Sequence, residues 1–117
     1  MAFMNTVKNG RYRWMIFKDG NDWVGVALEF NIVVTGEDPR VVEVELQEAV
    51  LGYLESAKKL KGFRASQVNS LLNQKANDEY EEKWARARRI FTAPKKDGVI
   101  SPLSGIYKAG VSSLAVV

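Results

Sequence analysis

The chain has 117 residues, 46% hydrophobic and 26% charged, with a formal charge of +3, which is the make-up of about one globular domain and not of a disordered tail. It contains no Cys and no His. Disulfides, thiolate metal sites, most triad-type nucleophilic mechanisms and most zinc sites are therefore excluded.

No apolar run approaches the roughly 20 residues needed to span a bilayer. The opening MAFMNTVKNGRYRW carries no apolar core of a signal peptide. With no Cys, a reducing, cytoplasmic setting is the expectation.

The pattern predicts a strand over Arg11 to Phe17, with Tyr12, Trp14 and Ile16 on one face and Arg13, Met15 and Phe17 on the other. Lys18 to Asp22 is a hairpin turn in which Gly20 or Asn21 takes positive φ. Trp23 to Phe30 returns as a second strand, with Val24, Val26, Leu28 and Phe30 on one face by strict alternation. Asn31 breaks it. Ile32 to Thr35 is β-branched throughout and reads as a third strand. Gly36 ends that strand, with a positive φ expected at the turn.

Asp38-Pro39 supplies an N-cap and a first helical residue. Val42, Leu46, Ala49, Val50, Tyr53, Leu54, Ala57 and Leu60 then follow a helical period, and Lys58, Lys59, Lys61 and Gly62 close the helix. Phe63 to Asn69 fits either a short fourth strand or an extended connection. A second helix, capped by Asn77 or Asp78, runs to about Arg89 with Tyr80, Trp84, Ala87 and Phe91 on one face. Ser101-Pro102 opens an expected third helix carrying Leu103, Ile106, Tyr107, Gly110, Val111 and Leu114. The expected fold is α+β: a three- to four-stranded, mostly antiparallel sheet covered by one long helix, with two C-terminal helices.

Several features of Arg13 to Leu54 occur together in one known family. An aromatic-rich strand leads into a turn with Asp, Gly and Asn. The second strand opens at Trp23 and ends in Ala27-Leu28-Glu29. Ile32 to Thr35 and Gly36 precede a capped helix with Glu48-Ala49, Val50-Leu51 and Tyr53-Leu54-Glu55. In this order the segment, about a third of the chain, resembles the HicB-like antitoxin family. That resemblance implies a partial ribonuclease-H-like βββαβ domain over residues 1–64, with 65–117 as a C-terminal helical extension packed on it or on a second protomer. The DNA-binding tail usual in the family, ribbon-helix-helix or helix-turn-helix, has no counterpart in residues 65–117. The implied role is non-enzymatic: binding of a HicA-like toxin, a small basic ribonuclease, with no cofactor and no metal.

Such a partner needs an acidic surface. Glu37, Asp38, Glu43, Glu45 and Glu48 are the candidates, against the plainer reading of a solvated helix face. Lys83, Arg86, Arg88, Arg89, Lys95 and Lys96 form the one concentrated basic stretch. They fit either phosphate contacts of a nucleic-acid-binding regulator or helix-end charges matching the dipole. Trp84 and Tyr80 are expected as core anchors. Asp19, Asp22 and Glu29 invite comparison with a two-metal nuclease, but turn carboxylates ordinarily bond to the backbone, and a carboxylate hydrolase ranks last. Exposed strand edges and apolar tail helices favour a homo-oligomer.

Overall fold

A computed structural model of the chain describes residues 5–6, 10–59, 69–92 and 105–113. The expected strand or connection over most of 63–69, the capping Gly62, Lys95, Lys96 and the Ser101-Pro102 pair lie outside them. The fold is α+β, with a four-stranded antiparallel sheet ordered β3-β2-β1-β4. The strands are β1 (Arg11–Asp19), β2 (Asp22–Ala27), β3 (Ile32–Gly36) and β4 (Ile106–Ser113). A long helix, α1 (Pro39–Lys58), lies on one face, and α2 (Asp78–Thr92) on the other.

The β1–β2 hairpin closes through Gly20, whose φ of +63° is what the first central residue of a type II′ turn requires. The two apolar faces of β1 have a direct consequence. Tyr12 and Trp14 pack toward α1, while Met15 and Phe17 pack toward α2, so β1 is an inner strand covered on both sides. An inner strand needs two neighbours, and β4 is the second.

That strand corrects the expected third helix and the wholly helical C-terminal extension. Phe17 pairs with Ile106 but Ile16 pairs with Lys108, so Tyr107 is an extra residue bulged out of the ladder. The bulge shifts the parity. Ile106 and Ala109 then share the α2 face at a spacing of three, which in sequence looks helical. Gly110 also has a reason within the sheet, because the Trp14 indole lies across it. A Cβ there would meet Trp14 Cζ2 at 3.0 Å, and the indole Nε1 donates to Ser112 Oγ at 3.0 Å. Both helices intervene before β4, which runs antiparallel to β1; in the expected βββαβ order a single helix would precede it.

The second strand also ends sooner than the alternation predicts. After Ala27 the chain makes a 3-10 turn, Leu28–Phe30, closed by Asn31 in the left-handed region at φ 53°. The turn sends Leu28 to the α2 side and Phe30 to the α1 side, where it stacks on Tyr53 at 5.4 Å. Phe30 therefore does not share a face with Val24 and Val26.

Helix α1 buries Val42, Leu46, Val50, Leu54 and Ala57 on β2 and β3. It sits close because Gly25 has no side chain: a Cβ there would stand 2.8 Å from Val42 Cγ1. Gly36 serves the same approach, at 3.0 Å from Val42 Cγ2. Its φ is not positive, which corrects the expected reason for that glycine. Asn77 caps α2 by accepting from Glu79 N at 2.8 Å. Tyr80, Trp84 and the fully buried Ala87 face inward.

Arg13 ties α2 to the sheet. Its Nη2 and Nε donate to Glu29 Oε2 at 2.6 and 2.9 Å, its backbone N–H to Glu29 Oε1 at 2.6 Å, and its Nη1 to Glu81. Its guanidinium lies 5.9 Å from the centre of the Trp84 ring. Burial works against the Arg13 charge, but the bonds to Glu29 and Glu81 outweigh it and hold the guanidinium above its ordinary pKa. Among the described residues no buried side-chain polar atom lacks a hydrogen-bond partner.

Candidate partner-binding surface

At 100° per residue, the buried stripe of α1 leaves the opposite face to Val41, Val44, Glu45, Glu48, Leu51 and Glu55. All six are exposed, and the three apolar ones stand out at 50%, 53% and 50% of their full area for Val41, Val44 and Leu51. From Val41 to Ala57 the helix has no basic residue. The result is an aliphatic strip edged with carboxylates, about 15 Å long from residue 41 to 51 at 1.5 Å per residue.

The five acids expected to make a partner surface separate into two groups. Glu45 and Glu48 lie on this outward face, and Glu37 is exposed just before the helix. Glu43 turns the other way, toward β4, where Lys108 Nζ reaches it at 3.1 Å. Asp38 is the helix cap: its Oδ1 accepts from Arg40 N at 2.9 Å, and its Oδ2 pairs with Arg40 Nη2 at 2.9 Å. The side-chain bonds from Arg40, followed by the backbone N–H, hold the Asp38 carboxyl below the ordinary carboxylate range.

A carboxyl with a lowered folded-state pKa adds stability that is full above its unfolded pKa. That stability is lost as pH falls through the folded one. Asp38→Asn keeps a capping oxygen but removes the titration. The decline of the thermal midpoint on acidification below about pH 5 should be shallower in this variant than in the parent, as read by circular dichroism. Identical acid limbs would contradict the lowered pKa of the Asp38 carboxyl.

The basic residues do not form one face. Lys83 Nζ sits 4.9 Å from the centre of the Phe17 ring, on the packed side of α2. Arg86, Arg88 and Arg89 are exposed; Arg86 and Arg89, three residues apart, share a flank, while Arg88 is turned about 160° from Arg86. Asp19 and Asp22 remain in the exposed hairpin, whereas Glu29 is buried beside Arg13. The three do not converge, and no group of three acids suited to a metal occurs among the described residues.

Beside α1, Tyr12, Trp14, Glu43, Leu46, Gln47, Val50 and Ser112 line a crevice of about 20 Å³. That is room for about one water and far below the volume of a ligand pocket. No helix among the described residues is long and apolar enough to cross a membrane.

Sequence reasoning did not single out Val41, Val44 and Leu51 as a surface. The signal was present: they fall out of phase with the four-residue spacing of Val42, Leu46, Val50 and Leu54. It also missed the Arg13–Glu29 pair, whose signal was a charge at an inward position of each of two apolar segments. No family model, curated protein or solved structure matches this chain.

Proposed function

We propose that this protein is a non-enzymatic, cytoplasmic binding module of the HicB-like kind, which holds a small basic protein on the outer face of α1. A HicA-like ribonuclease toxin is the partner class that the resemblance of Arg13 to Leu54 implies. The observation that carries the reading is the strip of Val41, Val44 and Leu51, half-exposed and edged by Glu45, Glu48 and Glu55.

Each component of that surface has a separate role. Burying three aliphatic side chains supplies non-directional affinity at about 25 cal/mol per Å² of apolar area. The carboxylates steer a basic partner and disfavour an acidic one. The order of three strands followed by a capped, acidic helix agrees with the resemblance, and a flank that gathers Arg86 and Arg89 but turns Arg88 away is a small footprint for phosphate contacts.

The test is a binding titration between this chain and the product of the adjacent reading frame. Val44→Lys and Glu48→Lys each change an exposed residue, so the fold should be retained while affinity falls by about tenfold or more. Unchanged affinity in both variants would remove α1 as the surface. DNA retention that weakens steeply with salt and vanishes with Arg86→Ala plus Arg88→Ala would replace the proposal with a nucleic-acid regulator.

A further inference from the structure

We propose that the sheet surface beside the first turn of α1 binds a single-stranded nucleic-acid segment, stacking unpaired bases on Trp23 and Tyr107 and holding their phosphates with Lys18, Arg40 and Lys108. The inference is independent of the partner surface on the outer face of α1. The bulge in β4 assembles the site. Because Tyr107 is the extra residue, it and Lys108 both project to the α1 side instead of alternating. There Lys108 reaches Glu43 of α1, and Tyr107 meets the Trp23 ring edge-on, with centroids 6.1 Å apart. Trp23 lies on that side by alternation from Gly25, which faces Val42 of α1.

Three cations from three elements surround the two rings. Lys18 of β1 stands opposite Trp23 in the ladder, with its Nζ 5.9 Å from the centre of the six-membered and five-membered ring system. Lys108 Nζ lies 5.6 Å from the centre of the Tyr107 ring, and Arg40 of α1 is within electrostatic reach of Tyr107. Arg40 pairs with Asp38 and Lys108 with Glu43, but the two cationic side chains are 80% and 51% exposed. Exposed pairs of this kind are worth little, so a phosphate can replace either carboxylate at small cost. Lys18 is exposed and adds a third positive charge, while Asp19 and Asp22 alternate to the other side of the hairpin.

The chemistry selects the ligand. Half-buried rings interleaved with exposed cations match the two parts of a nucleotide, the π-face of the base and the phosphate. The rings lie on an open sheet surface, which suits a strand passing over it better than a free nucleotide, which needs an enclosing pocket. Paired bases hide their faces inside a duplex, so the strand must be single.

The experiment is fluorescence anisotropy of a labelled single-stranded RNA of about 12 nucleotides, titrated with the full chain between about 20 and 200 mM salt. Three phosphate contacts predict a log–log salt slope of about −2. Lys18→Glu changes an exposed residue, so the fold should persist while affinity falls about tenfold and the slope becomes shallower by about 0.7. Tyr107→Thr, which keeps a strand-forming residue but removes a stacking ring, should also weaken binding by about tenfold. Arg86→Ala plus Arg88→Ala, on α2 across the sheet, should leave binding unchanged. A parent that does not bind, or a Lys18→Glu variant that binds as tightly as the parent, would overturn the inference. So would a duplex of the same sequence bound as tightly as the strand, displacement of the strand by an equal concentration of uridine monophosphate, or loss of binding in the α2 variant alone.

Discussion

Gly25→Val should destabilise the protein by about 3 kcal/mol, the upper part of the range for overpacking a tight core. Gly25 lies in β2 beneath α1, where even a Cβ would meet Val42 Cγ1 at 2.8 Å, Val34 Cγ2 at 3.2 Å and Leu46 Cδ2 at 3.3 Å. None of these atoms can retreat cheaply. Val42 and Leu46 anchor the buried stripe of α1, and Val34 is held in the neighbouring strand. Valine's better strand propensity returns at most about 1 kcal/mol. The relief available is a lift of the helix, which opens the apolar contacts along its length. Urea denaturation measures the change. An unfolding free energy within about 0.5 kcal/mol of the parent, the ordinary range for surface substitutions, would mean that α1 does not sit on Gly25 as described.

The second large effect is at Arg13. Arg13→Met removes the one side chain bonded to the Glu29 carboxylate among the described residues; Glu29 is 2% exposed, and of those bonds only that from the Arg13 backbone N–H is left. Breaking a buried ion pair from one side costs about 3–5 kcal/mol. Combining Arg13→Met with Glu29→Leu should recover most of that loss, since replacing both partners by apolar groups is often nearly neutral. Glu81 belongs to the same network, but its side chain is 37% exposed. Glu81→Gln should therefore cost about 1 kcal/mol or less, in the range of surface pairs. A double-mutant cycle on denaturant midpoints reads all three values. Additive effects of Arg13→Met and Glu29→Leu would contradict the coupling.

Much of this fold was legible in the sequence, and the departures have local causes. The β1–β2 hairpin, β3 and α1 were legible because local signals agree: Gly20 at the turn, β-branched Ile32 to Thr35, and Asp38-Pro39 before a four-residue apolar spacing. β4 was hidden by the single bulged residue Tyr107, which converts a two-residue period into an apparent helical one. The end of β2 was hidden by the 3-10 turn, which moves Phe30 across the sheet. Neither event has a strong residue signature, because each depends on pairing with a strand elsewhere in the chain. The surface was half legible: Glu45 and Glu48 emerged as acids on an outer face, while Val41, Val44 and Leu51 look like core until the buried phase of α1 is known. Glu43 and Asp38 were indistinguishable from them by composition, and are separated by Lys108 and Arg40.

The measurement that bears most directly on the central claim is co-expression of the tagged full chain with the product of the adjacent reading frame, followed by affinity capture and an assay of RNA cleavage. A binding module predicts a stable complex in which the partner's cleavage is suppressed, lost when Val44→Lys and Glu48→Lys are combined. Failure to recover a complex, or a complex indifferent to those substitutions, would contradict it.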